Sequence, residues 1–252
     1  MSKSVLIGFL LIHGFASTKY SFQILIDSLK EKGYVVDALD LPGHNTSPQD
    51  MIGVKWADWI DYCQNCLDNL KEKCTKVYII GTSLGGTLAL YLGSTNPDID
   101  GLIALATPYK SFNYKMKMLE RFPFVKHLKK WHIMDESKVD DIEALDRLKH
   151  YPKFPTESAI EFAKLMKNLR KNLSLIEHPL LLIYSKNDPT VPSKQIKNIY
   201  HIVGSRDKTI VCVSKGRHSI LVDAGRYQAL EAIEQWLKNE EKETLSNDKI
   251  KS

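Results

Sequence analysis

The chain has 252 residues, of which 43% are hydrophobic and 26% charged, and a formal net charge of +5. That length suffices to bury the core of one large α/β domain, and the composition excludes a disordered or collagen-like chain. The positive excess is lysine spread along the chain rather than one compact basic block, so no nucleic-acid partner is read from it, and four scattered cysteines exclude a disulfide scaffold.

The first apolar run, residues 5–12, superficially resembles a signal peptide. It is short, lacks a small-residue cleavage site after it and has a better use as a core strand. No run approaches the length of a membrane span, so the expected location is cytoplasmic. Five further runs follow, at 34–39, 77–80, 102–106, 180–184 and 210–213. All are continuous rather than alternating, which is the pattern of strands covered on both faces in a parallel sheet.

Amphipathic stripes separate these runs. Phe22, Leu25, Ile26 and Leu29 form the first, with Gly33 placed to stop that helix in a left-handed conformation. Trp56, Trp59, Ile60, Cys63, Leu67 and Leu70 form the second, and Cys63-x-x-Cys66 lies within it. Zinc would want two further ligands at suitable spacing and none stands nearby, so these cysteines are read as small buried residues and no metal is expected. Leu84, Leu88, Tyr91 and Leu92 make the third stripe; Leu230, Ile233 and Leu237 mark the last.

This alternation predicts an α/β fold: a mostly parallel sheet of about six strands with helices on both faces. The core occupies residues 1–109 and 178–238. Residues 110–177 show no convincing strand, only helical patterns such as Phe162, Leu165, Met166 and Leu169, and read as a helical insertion. Residues 239–252 are charged with few apolar positions and are expected to be a frayed, disordered tail.

The stretch "IIGTSLGG" puts Ser83 inside the pentapeptide Gly81-Thr82-Ser83-Leu84-Gly85, between a predicted strand and a predicted helix. In that context G-x-S-x-G forms a turn so tight that residues two before and two after the serine would clash if they carried side chains. The hydroxyl then projects over the sheet edge as a candidate nucleophile. It needs a base, oriented in turn by a carboxylate, on later loops of the same edge. His218 in "SKGRHSI" lies just beyond the sixth strand, whereas His201 lies ahead of it; His127, His132 and His150 belong to the insertion, and His178 precedes a strand. Asp188 in "YSKNDPTVP" follows the fifth strand on a proline-stiffened loop, although Asn-Asp-Pro is also an ordinary turn. Of the rival acids, Asp207 precedes its strand and Asp223 is placed to cap the last helix. The order Ser83, Asp188, His218 is the one this fold uses. Two backbone donors for an oxyanion are expected from the N–H of Leu84, next to the serine, and of Phe15, on the loop after the first strand. His13 ends that strand and is given a structural role.

With these residues assembled, the chain resembles the α/β-hydrolase superfamily, and within it small microbial carboxylesterases and monoacylglycerol lipases. "LLIHGFAS", "LDLPGH", "IIGTSLGGTLAL", "LLLIYSKNDPTVP" and "GRHSILVD" stand in the family's order and spacing. The resemblance implies Ser83 as nucleophile, Asp188 and His218 as its triad partners, Phe15 and Leu84 as oxyanion donors, the insertion as a cap over the acyl chain, and no cofactor. The chain departs from the family where Asn45 follows "LPGH" in place of glycine, and it begins almost at the strand that full-length members place third.

The expected activity is hydrolysis of short- to medium-chain acyl esters or monoacylglycerols through an acyl-enzyme. A serine peptidase or C–C bond hydrolase on the same scaffold, or a non-catalytic ligand receptor, remain alternatives. Phe112, Met116, Met118, Phe122 and Phe124, with Phe15, are candidates for an adaptable acyl wall, though the same side chains also suit packing of the insertion onto the sheet. The lysines among them suggest weak contact of the cap with a membrane or micelle.

Overall fold

The computed structural model describes residues 5–111, 121–122, 130–134, 139–141, 144 and 149–251, with side chains described as far as Lys242. Among these the strands are β1 (Ile7–Ile12), β2 (Val35–Leu39), β3 (Lys76–Thr82), β4 (Gly101–Leu105), β5 (Trp131–Ile133), β6 (Lys153–Pro155), β7 (Leu180–Ser185) and β8 (Lys208–Val213). Six of them pair into one sheet in the order β2-β1-β3-β4-β7-β8, and every pairing in it is parallel.

The strands read as unbroken apolar runs because their alternate residues enter two separate cores. Leu10 and Ile12, Val77 and Ile79, Leu102 and Ala104, Leu180 and Leu182 face one side, under the helices Trp56–Lys73, Leu84–Thr95, Thr156–Asn172 and Ser193–Ile202. Phe9 and Leu11, Tyr78 and Ile80, Ile103 and Leu105, Leu181 and Ile183 face the other, under Gln23–Glu31 and Arg226–Lys251. Gly33, at φ +80°, follows the first of these helices as its sequence predicts.

The segment 110–177 differs from its expected helical character. β5 and β6 form an antiparallel ribbon within it, pairing Trp131 with Pro155 and Ile133 with Lys153. Strands of three residues, one ending on proline, carry too little alternation to register as strands. The helix Thr156–Asn172 sends Phe162, Ala163, Leu165, Met166 and Leu169 into the main core, so the last third of the segment belongs to the helical layer of the sheet. At the C-terminus the helix continues past Leu237 to Lys251 in place of the expected frayed tail. Its outer turns are rich in Glu and Lys, good helix formers that need no buried face, and the Tyr34 hydroxyl donates to Glu241 at 2.7 Å.

β1 and β3 are neighbours although β2 lies between them in sequence. Their carboxyl ends therefore flank a topological switch point, where α/β sheets place ligands.

Candidate active site

Ser83 stands at that switch point, between β3 and the helix Leu84–Thr95, with φ 53° and ψ −113°. A non-glycine residue in this region is strained by roughly 1–3 kcal/mol and persists only where its surroundings impose it. Here the surroundings are backbone. A Cβ at Gly81 would run into the Gly85 carbonyl, and one at Gly85 would run into the carbonyl oxygens of Ile12 and His13. Both glycines thus let chain pass against chain, while the Ser83 N–H is tied to the Leu105 carbonyl at 2.8 Å.

Two loops reach Ser83 from β7 and β8. His218 Nε2 lies 3.0 Å from Ser83 Oγ, and His218 Nδ1 lies 2.8 Å from Asp188 Oδ2. The other carboxylate oxygen of Asp188 accepts the N–H groups of Thr190 at 2.7 Å and Val191 at 2.9 Å. Asp188 accepts at every contact, so Nδ1 carries the proton and Nε2 is left to accept from the serine. The Asp188 side chain is 1% exposed, which keeps its bond to His218 out of bulk water. The two loops are also stitched to each other: Ser185 Oγ donates to the Gly216 carbonyl and accepts the Asn187 N–H.

The third wall is the loop after β1. A Cβ at Gly14 would come within 3.4 Å of Ser83 Cβ, so the Gly14–Phe15 backbone passes directly over the serine. Among the described residues the N–H groups of Phe15 and Leu84 have no hydrogen-bond acceptor, and Leu84 opens its helix, where the first amides are unpaired and the helix dipole is positive. Two buried histidines hold this loop. His13 Nδ1–H donates to Gly14 O at 2.8 Å and its Nε2 accepts from the Leu41 N–H at 3.0 Å. His44 Nδ1–H donates to Pro42 O at 3.1 Å and its Nε2 accepts from the Ala16 N–H at 3.1 Å. Burial pushes His13 down to about 4 and His44 to about 3, the latter helped by its neighbour His13. Asn45 sits at φ 58° and donates from Nδ2 to Asp40 at 3.0 Å; asparagine tolerates the left-handed backbone that this turn requires.

The Phe15 ring packs edge-on to Phe154 at 5.1 Å and stacks on Phe162 at 5.7 Å. Ala159 and Ile160 on one side, and Met51, Met134 and Tyr151 on the other, extend this apolar surface beside the serine loop. Apart from Phe15, none of these was expected as a site residue. Phe162 and its helix carried a periodic signal that fitted simple core packing equally well. Phe122 is 36% exposed, with the Arg121 guanidinium 5.8 Å over its ring; Phe112, Met116, Met118 and Phe124 lie outside the described residues. Asp223 does not cap the last helix, which begins three residues later at Arg226. Its side chain turns instead toward the His218 loop and residues 140–141. Cys63 is buried and its thiol is pushed up by desolvation, and among the described residues no cluster of His, Cys, Asp or Glu is arranged to hold a metal ion.

A hydroxyl bonded to an imidazole, that imidazole bonded to a buried carboxylate, and two unpaired amides over the same point suit covalent acyl transfer. The profile of the family described as serine aminopeptidase, S33, matches residues 7–225. A thermostable monoacylglycerol lipase of Bacillus sp. strain H-257 is 30% identical over 217 residues, 86% of this chain and 84% of that protein. A carboxylesterase of Bacillus subtilis strain 168 is 24% identical over 218 residues, 86% of each. Among solved structures, a metagenome-derived lipolytic enzyme superposes with a TM-score of 0.87 at 22% identity, covering 94% of this chain and 96% of that one.

Proposed function

The chain belongs to the hydrolase family described as serine aminopeptidase, S33, within the α/β-hydrolases, and from that premise we propose that it hydrolyses carboxylic esters through an acyl-enzyme on Ser83. The observation that carries this reading is the continuous chain of contacts from Ser83 Oγ through His218 to Asp188, 3.0 Å and 2.8 Å long. Ser83 Oγ attacks the ester carbonyl carbon as His218 Nε2 takes its proton, and Asp188 stabilises the imidazolium. The carbonyl oxygen becomes an oxyanion that accepts from the Phe15 and Leu84 amides, each such donor being worth roughly 3 kcal/mol of barrier. Collapse breaks the ester C–O bond, and the alcohol leaves with the proton from His218. Water, deprotonated by His218, then attacks the acyl carbon; collapse frees the acid and returns the proton to Ser83.

The substrate class follows from the apolar surface at Phe15, Phe154, Phe162 and Ile160, which suits an acyl chain: short- to medium-chain esters or monoacylglycerols. Two relatives named for ester hydrolysis support that choice. The family description favours a peptidase as second reading, and an aminopeptidase needs a carboxylate for the substrate's ammonium group. The buried carboxylates described near the site are committed: Asp188 to His218, Glu161 to Lys164, and Asp223 to backbone amides. Contact of the cap with a lipid surface is part of the same proposal, since Ile133 on β5 is 88% exposed beside Trp131, over which Lys153 lies at 4.9 Å. Low-salt sedimentation with anionic vesicles tests that contact.

The decisive experiment compares wild type with Ser83→Ala on p-nitrophenyl butyrate, a monoacylglycerol and an aminoacyl p-nitroanilide, alongside fluorophosphonate labelling. Wild type should be labelled and turn over both esters but not the anilide, and Ser83→Ala should lose labelling and at least 10⁴-fold in kcat. Turnover retained by Ser83→Ala overturns the proposal; labelling without turnover would point to a ligand receptor.

A further inference from the structure

Asp223 is fully buried, yet no cation sits against its carboxylate among the contacts described. Four backbone amides surround it instead. Oδ1 accepts from Asp140 and Asp141, both at 2.9 Å, and from Ala224 at 2.8 Å; Oδ2 accepts from Arg217 at 2.6 Å. Two of these donors lie in the insertion. A third is the amide immediately before His218. A buried carboxylate is retained only where its charge is met by such donors, and here they come from two segments, the insertion and the loop that carries His218.

Around this point the two segments are braced again. Arg217 Nε pairs with Asp140 Oδ1 at 2.6 Å and Arg226 Nη1 with Asp141 Oδ2 at 2.9 Å. Gly216, at φ +76°, has no room for a Cβ, which would stand 2.8 Å from the Gly225 nitrogen and 3.1 Å from Asp223 Oδ2. The His218 loop is thus clasped between Ser185 on the acid side and Asp223 on the insertion side.

Resting on the function proposed above, we infer that Asp223 is a positioning residue that couples the insertion to His218: one carboxylate sets both the height of the imidazole over Ser83 and the placement of residues 140–141. Displacing residues 140–141 then withdraws the base, and loosening the base loop releases residues 140–141.

Asp223→Asn preserves volume but can turn only one oxygen toward the donors. The three amides at Oδ1 hold that oxygen, so the new NH₂ faces the Arg217 N–H and the base side loosens. Asp140→Pro removes an amide from the insertion side alone, and Asp140→Ala, which keeps the amide and loses only the pair with Arg217, is its control. Each protein is titrated with a fluorophosphonate so that rates refer to correctly folded sites. On p-nitrophenyl acetate, too small to reach the insertion, kcat per labelled site should fall at least tenfold in Asp223→Asn and at least threefold in Asp140→Pro, with Asp140→Ala near wild type. Hydrogen exchange, which needs no turnover, should rise in peptides over both 139–141 and 215–218 in Asp223→Asn and Asp140→Pro. Exchange that rises on one side only, or Asp140→Pro with wild-type kcat, overturns the coupling. Wild type that is neither labelled nor active overturns the functional reading, and leaves the exchange result to decide the coupling alone.

Discussion

A serine hydroxyl stands clear of a strand–helix turn only when the backbone around it is crowded, and at Ser83 the crowding is met by removing side chains at 81 and 85. This much was legible in five letters, because the motif is a steric statement about adjacent residues. The partners were legible for another reason: in a parallel sheet every loop after a strand reaches the same edge, so Asp188 and His218 follow from counting strands. The apolar surface beside the serine loop was not legible, since Phe154 and Phe162 are ordinary core types until the fold sets them against Phe15. Asp223 was misjudged because its distant donors at 140 and 141 lie 83 and 82 residues away. Phe15 itself carries two separable contributions, an amide over the serine and a ring in the apolar surface. Phe15→Ala keeps the first and removes the second. It should raise KM for a C8 ester about tenfold, roughly 1.4 kcal/mol, with kcat changed less than threefold; a kcat loss without a KM change would place the ring elsewhere.

At the scale of elements, the wall over Ser83 is built from two loops, and both are fastened by neutral histidines. The loop after β1 and the loop after β2 are cross-linked by His13 to Leu41 and by His44 to Ala16. Burial holds His13 near 4 and His44 near 3, against 6.5 for a free imidazole. As pH falls below 6.5, the unfolded chain binds protons that the folded chain refuses, so stability declines until the folded-state values are reached near 4 and 3. For His13 alone the shift amounts to roughly 3 kcal/mol over that window, and His44 acts in the same direction. Urea unfolding at half-unit steps should therefore show stability falling from pH 6.5 to 4, with a shallower slope in His44→Gln. Constant stability across that range would mean that the imidazoles are not held neutral. The elements themselves were legible where burial was two-sided, as in the four inner strands β1, β3, β4 and β7. They were not legible in the ribbon of β5 and β6, where three residues per strand leave no period to detect.

For the molecule as a whole, the sheet is a partition between two cores of unequal cover. Among the described residues, four α-helices cover the face that includes Leu84 and Phe162, whereas two, Gln23–Glu31 and Arg226–Lys251, cover the other, with Phe22, Ile220 and Leu221 beside them. The last helix therefore carries a disproportionate share of one core, through Ala229 and Ile233, both 0% exposed, with Trp236 at 5% and Leu237 at 7%. Burying each large apolar side chain contributes about 1.5–3 kcal/mol, so Ile233, Trp236 and Leu237 together rival the roughly 5–15 kcal/mol net stability of a domain. Beyond Leu237 the helix continues, but its described anchorage there includes the surface contact of Glu241 with Tyr34. Removing residues 243–252 should shift Tm by less than about 3 °C and leave fluorophosphonate labelling of Ser83 at the wild-type rate. Removing residues 231–252 uncovers Tyr78, whose ring meets Trp236 edge-on at 6.0 Å, and should abolish the cooperative transition and labelling together. Thermal unfolding of the two truncations distinguishes a helix that closes a core from one that merely extends past it: a cooperative, labelled protein ending at Leu230 would show that the second core closes without it.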